Sequence, residues 1–446
     1  MRIAYITSMS GIGGGETGLL NTMQSTVALG HDPVLVCPPG ALSQAAIERY
    51  LIVHTMDLPN VHLRGGFMPS VDVHVIRELR RTVVAERIDI LHAESLLGLI
   101  YGGIVARLTG IPCVASYYGY WPLGLPLRLV LRFLCDRVFP IARCVADELV
   151  QGAVFTSDRM PIIPNELSPE FFSALPSKTD ARKLTGLPAA VPIVMQIARF
   201  QKIKGQMTLI KAAEILLRSA NREVRSANEP GVRRSDFGLR TSSCILPLFV
   251  FVGGVMSQYR DEIEYRDEVM VRARQAPLAD HVLFLGHRTD IPLLLRAADV
   301  FVNPSDYETF GMSVLEAAAV GTPIVATNVG GPASLLTDQK TGLLVPPQNP
   351  AAMAEAISSM LRDPARASGI AQQAQLEARK LYAPGTKARR LIAEYEQMGK
   401  RQTTKPKRQT PICRLSIVLC RFGGYWSLGL LRNSRGGSEP ASVVSA

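Results

Sequence analysis

The sequence predicts an α/β protein of two doubly wound parallel-sheet domains, and three observations carry that expectation. Short apolar runs alternate with longer helical patterns. The alternation breaks off and starts afresh at Val191. The chain has 446 residues and is 47% apolar, which suffices for two cored domains at roughly 150 residues each.

RIAYIT opens the chain as a strand, and GIGGGETG turns it into a helix near 17–29. The strands PVLVC, DILHAE and PCVASYY follow, with helical patterns near 75–86 and 96–108 between them. Apolar strands separated by helices mean a parallel sheet covered on both faces. The stretch 119–139, GYWPLGLPLRLVLRFLCDRVF, reads as a further helix on which Arg128, Arg132 and Arg137 recur every four or five residues. Such a stripe fits a buried helix whose arginines reach solvent, or a face laid on a membrane surface. Proline and small residues at 175–190 mark a linker. The second set then runs PIVMQIA, PLFVFVGG, HVLFLG, DVFVNPS, a helix at 313–320, TPIVATN and GLLVPP. Polar, aperiodic residues 219–243 read as an exposed insertion. The expected organisation is an N-terminal domain at 1–178, a linker at 179–190, a C-terminal domain at 191–384, a final helix at 385–399 and a disordered tail at 400–446.

Charge is unevenly placed. Residues 1–190 hold 16 Lys/Arg against 16 Asp/Glu, whereas residues 400–446 hold nine Lys/Arg against the single acid Glu439, so the tail supplies +8 of the net +11. A high pI confined to a tail argues for local attachment to an anionic surface and against a chain-wide nucleic-acid footprint. Seven cysteines without a C-x-x-C pair resemble neither a disulfide framework nor a zinc site, which fits a reducing compartment. The N-terminus lacks the long apolar region of a signal peptide, and no uninterrupted apolar run reaches the roughly 18 residues of a spanning helix. The expectation is a cytoplasmic protein, with peripheral contact at the inner membrane face through 119–139 or the tail.

Two segments carry chemistry. Glu308 and Glu316 bracket Thr309-Phe310-Gly311-Met312-Ser313, a loop running into a helix near Gly311. The first turn of a helix offers unpaired N–H groups and the positive dipole end, which suit phosphate. Arg199 and Lys204 flank the end of the first strand of the second set. Placed opposite that helix start, they would neutralise a diphosphate, Arg by a two-pronged contact and Lys as a point charge. Near the N-terminus, Gly13, Gly15 and Gly18 satisfy G-x-G-x-x-G, but the dinucleotide reading needs an acid at the end of the second strand, where Cys37-Pro38-Pro39 stands. What survives is a backbone at Gly14 and Gly15 able to approach an anion closely.

From Val191 onward, QIARFQKIKGQ, VLFLGH, AADVFVNPSDYETFGMSVLEAAAVGTPIVATNVGG and TGLLVPP resemble the donor domain of retaining glycosyltransferase family 4, including its E-x7-E element. GGGE, ILHAE and IIPNE resemble the acceptor domain of the same family. The resemblance implies a GT-B fold, two Rossmann-like domains facing a central cleft with the final helix crossing back to the first. It also implies a retaining transfer of sugar from a nucleotide-diphosphate sugar to a polysaccharide, lipid-linked or other cell-envelope acceptor. Arg199 and Lys204 would grip the diphosphate, Gly311, Met312 and Ser313 would offer N–H groups, Glu308 would contact the transferred sugar and Glu316 the ribose. Gly14, with Gly15, would admit the diphosphate from the opposite domain, and His287 sits where backbone groups read the base. On the acceptor and transferred-sugar side the resemblance points to His92, Glu94, Tyr118 and Asn165. Here the chain departs from the family: Tyr118 replaces a common histidine associated with the transferred sugar, Glu94 stands where a second histidine is frequent, and the usual P-N-G is Pro164-Asn165-Glu166. No D-x-D occurs, so no metal or other cofactor is expected. The alternatives are a non-catalytic sugar-nucleotide-binding subunit of an envelope assembly complex, or a GT-B epimerase or phosphorylase.

Overall fold

The computed structural model describes residues 1–60, 62–64, 68–119, 125–151, 159–227, 246–255, 259–404, 415–422 and 425–432. The N-terminal lobe comprises β1 (Arg2–Ile6), α1 (Gly14–Ala28), β2 (Asp32–Cys37), α2 (Ala41–Glu48), β3 (Ile52–Thr55), a short antiparallel pair β4 (His62–Arg64) and β5 (Met68–Ser70), α3 (Val73–Ala85), β6 (Ile90–Ala93), α4 (Leu96–Thr109), β7 (Cys113–Tyr117), α5 (Leu125–Leu134), β8 (Arg137–Pro140) and α6 (Arg143–Gln151). The C-terminal lobe comprises α7 (Lys178–Thr185), β9 (Ile193–Ile197), α8 (Gln206–Ala227), β10 (Leu248–Val252), α9 (Arg260–Ala273), β11 (Val282–Gly286), α10 (Ile291–Ala297), β12 (Val300–Asn303), α11 (Met312–Val320), β13 (Ile324–Thr327), α12 (Gly330–Leu335), β14 (Leu343–Val345), α13 (Pro350–Arg362) and α14 (Pro364–Leu381). Helix α15 (Thr386–Thr404) and the strands β15 (Leu415–Phe422) and β16 (Tyr425–Arg432) complete the described chain.

Each lobe holds a six-stranded parallel sheet, ordered β3-β2-β1-β6-β7-β8 and β11-β10-β9-β12-β13-β14. Along β1 the side chains alternate: Ile3 and Tyr5 enter one apolar cluster, Ala4 and Ile6 the other. This alternation is why a run apolar at nearly every position forms a strand buried on both faces. In both sheets the chain winds outward one way and then the other, so the strand order reverses between β1 and β6 and between β9 and β12. A crevice opens outside the carboxyl ends of the strands at such a reversal.

Two features tie the lobes together. Helix α15 returns to the N-terminal sheet and buries Leu391, Ile392, Tyr395 and Met398 against Ile3, Tyr5 and Phe139. On the other face, one apolar cluster runs from Tyr117 and Val145 into Phe310, Val314 and Leu315.

The structure corrects four expectations. The stretch 119–139 is not one helix: α5 stops at Leu134, and Arg137 opens β8, buried and ion-paired with Glu394 of α15. The arginine stripe therefore shortens to the exposed Arg128 and Arg132. The linker contains α7, capped by the Ser177 hydroxyl accepting from the Asp180 amide, and Ala181 and Leu187 pack with the C-terminal core. Helix α8 runs to Ala227, into the 219–243 insertion, whose residues 228–243 lie outside the described residues. Within the tail, β15 and β16 pair as an antiparallel ladder from Leu415–Arg432 to Phe422–Tyr425, where β-branched and aromatic residues in LSIVLCRF and YWSLGLLR supply strand propensity that the basic composition hides. Among the described residues, no helix is long and apolar enough to cross a membrane.

Candidate active site

In the C-terminal lobe the site forms at the β9/β12 reversal. After β9 the chain passes Arg199 and makes a short 3-10 turn, Lys202–Lys204, closed by Gly205 at φ +68°. A Cβ on Gly205 would lie 2.0 Å from the Pro304 carbonyl oxygen, so the loop after β9 rests directly on the loop after β12. Only glycine supplies both that dihedral and that approach. The Gln196 side-chain amide donates to the Lys204 carbonyl at 2.8 Å and fixes the turn from below. The result is Lys204 Nζ 2.6 Å from Glu308 Oε2, both side chains largely buried. Glu308 is held in turn by its carbonyl, which accepts from the Gly331 amide at 2.8 Å.

Gly311 takes a left-handed conformation, φ +90°, and turns the loop into α11. The first helical hydrogen bond joins the Leu315 amide to the Gly311 carbonyl, so the Met312 and Ser313 amides precede it and face outward from the helix start. Arg199 lies with its Nε 3.6 Å from Glu262 Oε1. Glu262 is buried in the first turn of α9 and also accepts from Gln201 at 2.6 Å. Sequence reasoning missed Glu262, because nothing local marks an acid 63 residues downstream as the partner of Arg199. Glu316 sits half-buried one turn into α11; burial, with Glu170 adding repulsion, lifts its carboxyl to about 7. His287 is exposed at the end of β11, the edge strand, beside Gly254. The structure thus brings the Arg199–Lys204 loop against the Glu308–Ser313 segment and leaves His287 at the sheet edge.

In the N-terminal lobe, Gly14 and Gly15 are exposed at the start of α1, with open space where their Cβ atoms would be. The adjacent Glu16 carboxylate accepts from the Gly13 amide at 2.9 Å. Glu94 immediately follows β6, its amide donating to the Ile6 carbonyl at 2.8 Å across the strand reversal. Tyr118 immediately follows β7 and donates to Glu94 Oε2 at 2.5 Å, while Ser116 Oγ donates to Glu94 Oε1 at 3.2 Å. His92 Nε2 lies 2.9 Å from Ser116 Oγ and His92 Nδ1 2.5 Å from the Tyr395 hydroxyl. His92 is fully buried between Tyr5, Phe139 and Tyr395, and that burial lowers its pKa to about 4, keeping it neutral. It is the keystone of a network under the cleft and reaches no substrate surface, because α15 covers the strand that carries it.

Asn165 and Glu166 serve the crossing helix. Asn165 Oδ1 accepts from Lys387 Nζ at 3.2 Å, and Glu166 Oε2 accepts from the Lys387 amide at 2.8 Å, in the first turn of α15. The glutamate in place of the usual glycine is therefore a helix cap whose charge complements the dipole. Lys387, buried itself, holds its ammonium 5.9 Å from the centre of the Tyr118 ring. Sequence reasoning did not single out Lys387, whose neighbours read only as helix.

The two crevices face each other. The Tyr307 hydroxyl donates to the Gly119 carbonyl and to Glu148 Oε1, both at 3.3 Å, and Cys144 Sγ lies 3.4 Å from the Thr309 carbonyl oxygen. Among the described residues, no group of three or more His, Cys, Asp or Glu gathers to hold a metal ion.

Comparison with known proteins agrees with this geometry. Residues 12–171 match the family model described as Glycosyltransferase Family 4, and residues 245–377 match that described as Glycosyl transferases group 1. The chain is 36% identical over 223 residues to the lipopolysaccharide core biosynthesis mannosyltransferase LpsB of Rhizobium meliloti, covering 50% of this chain and 56% of that protein. It is 26% identical over 396 residues to the D-inositol 3-phosphate glycosyltransferase of Pseudarthrobacter chlorophenolicus, covering 83% of this chain and 87% of that protein. The matched region thus spans about half of the first relative and most of the second. Among solved structures, Anabaena HepE in complex with UDP superposes with a TM-score of 0.72 at 20% identity, over 89% of this chain and all of that one. A glycosyltransferase from Rickettsia africae gives 0.73 at 18% identity, over 90% of this chain and 98% of that one.

Two parallel six-stranded lobes whose strand-end crevices meet make up the GT-B fold, which this chain shares with those solved structures. The C-terminal lobe carries the segment that matches the group 1 glycosyltransferases, and the N-terminal lobe the segment that matches Glycosyltransferase Family 4.

Proposed function

We propose that the protein is a retaining glycosyltransferase that moves a sugar from a nucleotide-diphosphate sugar to a glycan or lipid-linked acceptor of the cell envelope. The observation that carries this reading is the Lys204–Glu308 pair at the β9/β12 reversal, beside the start of α11. Transfer requires stabilisation of the negative charge that builds on the departing diphosphate. Lys204, Arg199 and the Met312 and Ser313 amides would meet that charge in a site partly closed to water. Glu308 aligns Lys204 before the donor arrives and would accept a hydroxyl of the transferred sugar. Glu316 would accept from the ribose. On a front-face route, the leaving phosphate takes the acceptor proton, so no separate base is required, and two cations carry the neutralisation without a metal.

The relatives support an envelope acceptor: one is named for lipopolysaccharide core, another as UDP-Gal:alpha-D-GlcNAc-diphosphoundecaprenol alpha-1,3-galactosyltransferase from Escherichia coli. The exposed Arg128 and Arg132, with the half-exposed Phe133, suit contact with an anionic membrane, where a lipid-linked acceptor would be met.

Thermal stabilisation by a panel of nucleotide sugars, starting with UDP-glucose, identifies the donor, since a ligand bound only by the native state raises Tm. Transfer is then assayed with that donor for Arg199→Ala, Lys204→Ala and Glu308→Ala. Each is expected to lose about a hundredfold in kcat. Undiminished rates in all three reject the assignment.

A further inference from the structure

We propose that Tyr307 is a positioning residue for Glu308: its hydroxyl, bound to the N-terminal lobe, sets the loop that meets the transferred sugar, whereas the diphosphate groups are set within the C-terminal lobe. This rests on the transferase reading above and assigns to one side chain the coupling of lobe contact to sugar binding.

The loop around Glu308 is held from two sides. On the C-terminal side, a Cβ on Gly330 would lie 2.2 Å from the Glu308 carbonyl oxygen, so the start of α12 presses directly on that peptide, and the Gly331 amide donates to the same oxygen at 2.8 Å. On the N-terminal side, α6 turns one face to the loop and also packs against α12. Cys144 Sγ lies 3.4 Å from the Thr309 carbonyl oxygen, Val145 shares an apolar cluster with Phe310, and Glu148 meets Tyr307. Cys144 and Glu148 are four residues apart, which places them one above the other on the helix.

The contact with the N-terminal lobe ends in one backbone carbonyl and one carboxylate. Gly119, just after β7, takes φ +82°, and a Cβ there would lie 2.9 Å from Thr309 Cγ2 and 3.1 Å from Val145 Cγ2. Glycine therefore lets this strand end close on the loop. The Tyr307 hydroxyl shares its single proton between the Gly119 carbonyl and Glu148 Oε1, each at 3.3 Å. Partial burial pushes the Glu148 carboxyl above its ordinary range, and the bond from Tyr307 opposes that rise. Tyr307 is itself 41% exposed, so its hydroxyl contributes more to this junction than burial of its ring.

The diphosphate groups are anchored differently. Gly205 rests on Pro304, the Gln196 amide holds the Lys204 carbonyl, and the buried Gln206 donates its amide to the Arg199 carbonyl at 2.9 Å, all within the C-terminal lobe. Deleting the Tyr307 hydroxyl therefore loosens Glu308 from the N-terminal lobe and leaves the Arg199–Lys204 loop in place. A small displacement of a group that orients substrate is enough to slow transfer.

The test uses the full chain, the nucleotide sugar found by thermal stabilisation and the nucleoside diphosphate that it releases. Tyr307→Phe deletes the hydroxyl alone, and a thermal melt confirms that the variant is folded. By calorimetric titration, its Kd for the nucleoside diphosphate should stay within roughly twofold of the unaltered chain, while its Kd for the nucleotide sugar rises about threefold or more and kcat falls about tenfold, as suits the loss of modest hydrogen bonds. Glu148→Ala should shift the ratio of the two Kd values in the same direction, and Glu148→Gln, which keeps an acceptor, should shift it less. Tyr307→Phe combined with Glu148→Ala should be no worse than Tyr307→Phe alone, because both remove one contact. Equal weakening of the two ligands in Tyr307→Phe, unaltered Kd values and kcat, or fully additive losses in the double variant overturn the proposal. Turnover by the unaltered chain reports on the transferase reading separately: if transfer or slow donor hydrolysis occurs while Tyr307→Phe changes nothing, only the positioning role fails; if no nucleotide sugar is turned over, both fail.

Discussion

Glu316 titrates near neutrality, because a half-buried carboxyl beside a second acid is costly to ionise. Its pKa rises from the ordinary 4.5 to about 7. The folded state therefore holds a proton that the unfolded chain has released, across the interval between those values. Stability from this group is fully present below 4.5 and is lost as the pH climbs through about 7. Glu316→Gln removes the titration, so its Tm should exceed that of the unaltered protein at pH 8 and match it at pH 4. An identical pH dependence of Tm in the two proteins would show that Glu316 is not strained. The interval of eight between Glu308 and Glu316 was legible in the sequence. The environment that sets the Glu316 titration was not, since Glu170 comes from 146 positions earlier in the chain.

At the scale of elements, the informative case is the start of α15. Glu166 is buried, accepts from the Lys387 amide and from Ser25 Oγ, and so joins the segment after the N-terminal lobe to α1 and to the crossing helix. Glu166→Ala leaves the Lys387 amide buried without an acceptor, and should cost about 1–3 kcal/mol in urea unfolding. Glu166→Gln keeps an acceptor and should recover most of that loss; equal losses in the two variants would argue against capping. The sequence displayed Glu166 only as a departure from P-N-G, and its meaning appears once a helix 221 residues away docks on it. The misplaced boundary in 119–139 has a similar cause. LRLVLRFLCDRVF has helical spacing throughout, yet a four-residue strand fits after Leu134 because β7 offers an open ladder and Glu394 an ion-pair partner for the buried Arg137.

At the scale of the molecule, α15 is the joint that makes two lobes one structure. Its residues Leu391, Ile392, Tyr395 and Met398 cover a sheet face that otherwise meets water. At roughly 1.5–3 kcal/mol for each fully buried large side chain, this docking is comparable to the whole stability of a domain. A chain ending at Gly385 should therefore lose the cooperative melt of its N-terminal lobe by circular dichroism and bind a hydrophobic dye. Retention of two native-like transitions would show that the lobe folds unaided. The polar contacts of Tyr307 with Gly119 and Glu148 add to the apolar cluster that runs from Tyr117 and Val145 into Phe310.

The sequence by itself determined the two parallel sheets, the cationic loop after β9 and the helix start at Gly311, because each is written in local periodicity and in glycines that permit only certain turns. It also placed Glu94 and Tyr118 at strand ends. Only the tertiary structure decided that His92 is buried and neutral, that Asn165 and Glu166 hold the crossing helix, and that Arg199 is steered by Glu262. Those roles depend on which side chains packing brings together from segments tens to hundreds of residues apart, and no local pattern encodes such a partner.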